Sequence, residues 1–78
     1  MNKINLLNND WVQIPLNGAT DMIVAPSYNE VADIIWSDSS VDDDGIVLPL
    51  EGGRFNRNIY VRIASTFIEP ATITIIRS

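Results

Sequence analysis

The chain contains no cysteine and no histidine, and its only lysine is Lys3. Without cysteine no disulfide can form, and without either residue there is no zinc, haem or iron–sulfur site of the usual kinds. Any bound metal would have to be a hard cation held by oxygen atoms. The sequence also lacks a P-loop or dinucleotide-binding fingerprint. We therefore predict that the protein carries no cofactor.

The same absences bear on catalysis. Nucleophilic chemistry would have to use serine with the single lysine, or threonine with a terminal amine. A carboxylate pair for glycoside hydrolysis is the remaining option, because ten acidic residues are present. We interpret these acids as turn residues that keep a small surface soluble. We predict that the protein is not an enzyme.

Positive charge is scarce. Five basic residues against ten acidic ones give a net charge of −5, and the four arginines form no run. This is the wrong sign for binding a phosphate backbone, so we expect no nucleic-acid partner. No apolar window approaches the roughly 20 residues of a membrane span, and the N-terminus lacks the features of a signal peptide. We expect a protein that is made in a cytosol and does not bind membranes.

The 78 residues suffice for one domain. A chain of this size buries only about 60–65% of the surface that its unfolded form exposes. Small domains without disulfides or metals commonly gain stability by burying more surface in an assembly. We therefore expect a homo-oligomer, with a trimer as one option.

Short apolar runs with a period close to two predict half-buried strands. These runs cover residues 11–16, 21–26, 31–37, 46–50, 59–65 and 71–77. A helix is an alternative for residues 28–36, because Ser27 and Glu30 could form a capping box, but Val, Ile and Trp favour a strand there. The predicted fold is all-β: a small antiparallel β-sandwich or jelly-roll-like barrel of six to seven strands, formed by residues 11–78.

The segments between these runs have their own expected roles. Asn17 and Gly18 tolerate the positive φ of a tight hairpin turn. Residues 51–58 are expected to turn the chain between two strands. Residues 1–10, with four asparagines and three aliphatic residues, are expected to form an N-terminal arm that is disordered or laid across a neighbour.

One acidic segment resembles a calcium-binding loop. Ser40, Asp42, Asp44 and Glu51 occupy positions 1, 3, 5 and 12 of the EF-hand pattern, with Gly45 at position 6. The flanking runs alternate like strands rather than helices, and an extended segment from residue 46 to 50 would hold Glu51 far from Asp42. We interpret the segment as a solvated acidic turn in which Gly45 supplies backbone freedom, with calcium as the alternative.

Six aromatic residues provide a second candidate surface, and in so small a domain some of them must be buried. They are Trp11, Tyr28, Trp36, Phe55, Tyr60 and Phe67. Tyr60 and Arg62 share a strand face, which is a pairing common at protein interfaces. We predict that Trp11, Tyr60 and Arg62 belong to a subunit interface, with a carbohydrate-binding platform as the alternative.

The C-terminal half resembles small β-sandwich proteins in the virions of tailed bacteriophages. The stretch "GIVLPLEGGRFNRNIYVRIASTFIEPATITI" carries the resemblance: a glycine, a leucine three residues later, a glycine-containing turn, an aromatic residue, "IYVR" and a final T-x-T strand. The upstream "DWVQIPLNGATDMIVAP" is similar to the opening hairpin of those proteins. The chain departs from them at residues 69–71, where "EPA" replaces a turn that commonly contains glycine.

The resemblance implies a non-enzymatic structural protein of the virion. A capsid decoration protein that assembles through its sandwich edges and N-terminal arm, and contacts proteins such as the major capsid protein, is the first hypothesis. A receptor- or glycan-binding module of a tail fibre or adhesion device is the alternative. In either case the implied location is the virion, after synthesis in the host cytoplasm.

Overall fold

The computed structural model describes residues 2–26, 34–40, 44–64 and 71–78. Within these ranges the regular structure is entirely β. The eight strands are β1 (Asn2–Leu6), β2 (Val12–Ile14), β3 (Met22–Pro26), β4 (Ile34–Ser37), β5 (Ile46–Val47), β6 (Gly53–Phe55), β7 (Ile59–Ile63) and β8 (Ala71–Arg77). Among the described residues no helix is long and apolar enough to cross a membrane.

The strands form two antiparallel sheets of four. The first sheet has the order β1-β8-β3-β6, and the second has the order β2-β7-β4-β5. The pairing is nested, because β1 pairs with β8, β2 with β7, β3 with β6 and β4 with β5. This is the strand order of an eight-stranded jelly roll. The predicted all-β sandwich is confirmed, with eight strands in place of six or seven.

The core lies between the two sheets. Strands β3 and β7 both alternate strictly between buried and half-buried residues, as expected for strands with one face inward. The smallest overall dimension, 18 Å, suits two sheets packed about 10 Å apart. The buried apolar residues of this core are Leu6, Ile14, Met22, Val24, Ile34, Leu48, Phe55, Ile59, Val61, Ile63, Ala71, Ile73 and Ile75.

The turn between β2 and β3 follows the sequence prediction. Asn17 has φ of 58° and Gly18 has φ of 82°, so both adopt the left-handed conformation. Ala19 N–H donates to the carbonyl of Leu16 and closes the turn. The carbonyl of Pro15, just before it, accepts two hydrogen bonds from the Arg77 guanidinium, which ties β8 of the first sheet to the end of β2 in the second.

The predicted N-terminal arm is wrong for residues 2–6. These residues form β1, which pairs along its whole length with β8 of the same chain. Leu6 is only 1% exposed, and Ile4 packs against the core. The alternation of Ile4 and Leu6 with Lys3 and Asn5 is a strand pattern, and the high asparagine content, which disfavours strands, hid it.

Two further expectations need correction. Residues 53–55, expected within a turn, form strand β6, which pairs with β3 and whose Arg54 bonds to Asp21. The run at 46–50, expected as one strand, is regular only at Ile46–Val47, although Leu48 N–H still donates to the carbonyl of Ile34. The chain then turns at residues 50–51, and Gly52 N–H donates to the carbonyl of Pro49 across this turn.

Several expectations fall outside the described residues. These are the first part of the run at 31–37 and most of its helical alternative, Asp42 of the calcium pattern, and residues 69–70 of the "EPA" segment. Within the described part of β4, Ile34 and Trp36 face the core side and Ile35 the opposite side, as the period of two predicts.

Candidate functional site

The outer face of the second sheet collects the residues predicted to form an interface. Tyr60 lies opposite Gln13 on one side and Ser37 on the other, and Arg62 lies opposite Ile35. Directly paired residues of antiparallel strands project from the same face of a sheet. Tyr60 and Arg62, both half-buried, therefore project together on this outer face.

Trp11 joins the same face through its contact with Arg62. The Arg62 guanidinium carbon lies 5.0 Å from the centroid of the Trp11 ring, within the range of a cation–π interaction. All three residues of the predicted interface thus lie on one surface. Their role in assembly stays a prediction.

Ile35 is an apolar residue buried on this outer face. It is 7% exposed and lies between Arg62 on β7 and Val47 on β5. Gly45 makes this close packing feasible: a Cβ added there would lie 2.9 Å from Ile35 Cδ1 and 3.0 Å from the carbonyl oxygen of Trp36. The expected reason for Gly45 is therefore corrected, because its φ is not in the left-handed region and the requirement is space.

A second cluster surrounds Trp36 near the end of β4. Trp36 packs against Phe55 of the opposite sheet, with ring centroids 4.8 Å apart and planes at 70°. The Arg57 guanidinium carbon lies 5.7 Å from the Trp36 ring centroid. Arg57 is held by two hydrogen bonds to Asp38, of 2.5 and 3.3 Å. The cluster thus links both sheets to the loop after β6.

The electrostatics of this cluster follow from the Arg57–Asp38 pair. The hydrogen bond from Arg57 lowers the pKa of the Asp38 carboxyl below its ordinary value of 3.8. The same hydrogen bond raises the pKa of Arg57, which therefore keeps its charge. Both side chains are about half exposed, so solvent screens the pair.

A shallow depression of about 230 Å³ borders this cluster. It is lined mainly by apolar surface, with two carboxylates at its margin. The lining residues are Trp36, Ser37, Asp38, Asp44, Gly45 and Ile46. An aromatic ring beside carboxylates can take a small polar ligand with an apolar face, such as a sugar ring.

Beside the depression, the β5 edge is the most apolar exposed region of the described chain. We use this term for Ile46, Val47 and Leu50, which are 60%, 67% and 76% exposed. They account for three of the five large exposed hydrophobic residues among those that the structure describes. Concentrated apolar exposure of this kind marks interaction sites more often than scattered single residues do.

The proposed calcium ligands are only partly described. Ser40, Asp44 and Glu51 are all exposed, and Asp42 lies outside the described residues. Among the residues that are described, no group of three or more acidic side chains comes together. Asp44 and Glu51 stand on either side of β5, which is paired to β4. The EF-hand spacing therefore spans a segment of the sheet.

Sequence reasoning missed the β5 edge and the cluster around Trp36. The β5 edge was expected to be a half-buried strand, and the signal against it was Pro49, which begins the turn that ends this short strand. Asp38 and Arg57 are separated by 19 positions, and no local pattern predicts their pairing.

No protein-family model, curated protein or solved structure matches this chain. The function is therefore argued from the chain's own fold and surfaces.

Proposed function

We propose that the protein is a non-enzymatic structural subunit of a tailed-bacteriophage virion, and specifically a capsid decoration protein. The observation that carries the proposal is the strand order of an eight-stranded jelly roll. Viral capsid proteins use this architecture repeatedly, although lectins and cupins use it too. The resemblance of the C-terminal half to phage virion proteins supports the first of these uses.

The surface chemistry supports a role in assembly. A domain this small gains stability from buried contacts with neighbours. The outer face of the second sheet brings Trp11, Tyr60 and Arg62 together, and these residue types are enriched in the energetic centres of interfaces. We assign this outer face to contacts between copies of the chain. The oligomer that we propose to test for first is a trimer. The remaining surfaces then meet other virion proteins, including the major capsid protein.

The test has two independent measurements. Native mass spectrometry of the purified protein is expected to show a homo-oligomer. Proteomics and electron microscopy of phage particles whose genome encodes the protein are expected to find it on the head. A strictly monomeric protein that is absent from every particle would overturn the proposal. Detection on tails alone would replace decoration of the head by a tail role.

A glycan-binding module is the second candidate, favoured by the depression beside Trp36. The Trp36 ring is half-buried, and Asp38 and Asp44 can accept hydrogen bonds from the hydroxyl groups of a sugar. We place it second because Arg57 already lies over the ring and Asp38 already accepts from Arg57. A glycan-array screen with and without calcium distinguishes the two. A glycan that binds and whose binding is lost in Asp44→Ala would favour this candidate, and a blank array removes it.

A further inference from the structure

In the described ranges the two sheets have four edge strands, and three of them carry a charged residue on the strand or a proline directly after it, which discourages pairing with another chain. β1 has Lys3, which is exposed. β2 is followed by Pro15, which has no N–H and whose carbonyl is taken by Arg77. β6 has the exposed Arg54, which bonds to Asp21. Charged residues and prolines at edges are common protections against unwanted strand addition.

The two strand residues of β5 carry no charge or proline themselves, and Pro49, two positions after Val47, limits how far an added strand can pair because it lacks an N–H and its carbonyl accepts from Gly52 N–H. The two strand residues are Ile46 and Val47, and both are apolar and mostly exposed. Within the described ranges, no strand lies on the side of β5 that faces away from β4. An exposed apolar edge can accept an added strand, and the two-residue length of β5 confines that pairing to the neighbourhood of Val47.

The hydrogen-bond pattern identifies the backbone groups available there. Leu48 N–H donates to the carbonyl of Ile34, so residues 34 and 48 form a hydrogen-bonded pair. Hydrogen-bonded and non-hydrogen-bonded pairs alternate along an antiparallel ladder. Val47, which is paired with Ile35, therefore directs its N–H and C=O away from β4. Val47 is therefore the strand residue whose N–H and C=O would bond to an added strand.

The charges around the β5 edge limit what can occupy it. Asp44 precedes the strand and Glu51 follows Leu50, and both acids are exposed. The sequence places two more acids at positions 42 and 43, and the whole chain carries a charge of −5. A second copy paired antiparallel here would bring acidic flanks against acidic flanks. An apolar segment flanked by lysine or arginine is complementary in both its strand and its charges.

We propose that the β5 edge binds an extended segment of a partner protein, with apolar residues in its middle and basic residues at its ends, by adding it as a fifth strand to the second sheet. In the virion role this segment belongs to a neighbouring capsid protein, and to that extent the identity of the partner rests on the proposed function. The binding mode itself rests on the β5 edge alone.

The test uses synthetic peptides about nine residues long, roughly one strand with its flanks. The first has alternating valine and threonine in the middle and two lysines at each end. The second has glutamates in place of the lysines, and the third has prolines in place of the valines. Nuclear magnetic resonance titration of labelled protein is expected to show shifts of the residue 45–48 amides with the first peptide alone. Higher ionic strength is expected to weaken that binding.

Matched variants locate the site. Val47→Lys places charge on the open edge and is expected to weaken binding of the lysine-flanked peptide at least about tenfold. Leu7→Lys is the control, because Leu7 is also 67% exposed but follows β1 of the other sheet. Val47→Pro removes the outward N–H while leaving the bonds of residues 46 and 48 to β4, and it is expected to abolish the shifts.

The outcomes separate this inference from the proposed function. Binding that is lost in Val47→Lys and kept in Leu7→Lys supports strand addition, even if the protein is absent from every phage particle. Equal binding of the lysine-flanked and glutamate-flanked peptides overturns the charge argument. A dimer of the protein alone that Val47→Lys dissociates would make a second copy the occupant. No shift with any peptide, in protein whose spectrum shows it folded, overturns the inference.

Discussion

Arg62 lies over Trp11 on the outer face of the second sheet, with its guanidinium carbon 5.0 Å from the ring centroid. Tyr60, two residues before Arg62 on β7, shares this face. If this face joins copies of the chain, Tyr60→Glu should place a carboxylate at its centre and weaken the oligomer at least about tenfold. Native mass spectrometry over a dilution series measures the effect.

Thr74→Glu is the control for that variant. Thr74 is also half-buried, but it projects from the outer face of the first sheet, between Lys3 and Ala25. The Thr74→Glu substitution should leave the distribution of oligomer masses unchanged. Equal dissociation by both substitutions, or by neither, would argue against the outer face of the second sheet as the seam.

Leu6 and Leu7 give a paired test of β1 as a structural strand. Leu6 is 1% exposed and Leu7 is 67% exposed. Leu6→Ala should lower the free energy of unfolding by about 2–5 kcal/mol, because it leaves a cavity in the core. Leu7→Ala should change it by no more than about 0.5 kcal/mol. Chemical denaturation checks both values. A Leu6→Ala protein as stable as the parent would argue that residues 1–10 form an arm after all.

Gly53 leaves room for the ring of Phe55 beside β6. A Cβ at Gly53 would lie 2.8 Å from Phe55 Cζ, and the Phe55 ring also packs against Trp36. Gly53→Ala should therefore displace the ring and cost about 1–3 kcal/mol of unfolding free energy. Near-ultraviolet circular dichroism should report the altered contact between the rings. Arg54→Ala, at the exposed position between them, is expected to cost less than about 1 kcal/mol.

The Asp38–Arg57 pair should make the environment of Trp36 sensitive to acid. The pKa of Asp38 is lowered in the folded protein, so its contribution to stability is fully present above the ordinary value of 3.8 and is lost as the pH falls through the lowered pKa. Arg57 should then leave the ring of Trp36. The fluorescence of a Trp11→Phe protein, in which Trp36 is the only tryptophan, should change as the pH falls below 3.8. The same change in a protein that also carries Asp38→Asn would mean another group is responsible.

Calcium should leave the protein unchanged. To close an EF-hand shell, the segment between Asp44 and Glu51 would have to wrap around the ion. That segment is paired to β4 at Ile46 and Val47, and Leu48 bonds to it as well. We therefore expect no shift in melting temperature on adding millimolar calcium. A shift that is reversed by a chelator and absent in Glu51→Gln would establish the site.

The sequence predicted those parts of the fold in which alternation is strong and local. β7 alternates large aliphatic residues with Tyr60 and Arg62, and its two faces are as expected. β6 could not be recognised in the same way, because Gly53 and Arg54 look like turn residues until β3 pairs with them. β1 was missed for a similar reason, since its polar side is built of asparagine and lysine.

In the candidate site, too, local patterns were predicted and contacts between distant segments were not. A shared face for Tyr60 and Arg62 follows from the period of a strand, and it was predicted. The contact of Arg57 with Trp36 depends on how two distant segments meet, which no local pattern encodes. The exposure of Val47 depends on which strand ends up at the edge of its sheet. That is a property of topology rather than of composition.

The nested pairing also determines when the chain can fold. β4 and β5 are neighbours in sequence and can meet early, whereas Asn2 must find Ile75. Among the described strands β1 is synthesised earliest, and its partner β8 is synthesised latest. β8 lies between β1 and β3, so β1 cannot join β3 and β6 in the first sheet until Ala71–Arg77 has been released. A chain truncated before β8 should therefore leave β1 unpaired and the first sheet incomplete, and it should be more sensitive to proteases than the chain that contains β8.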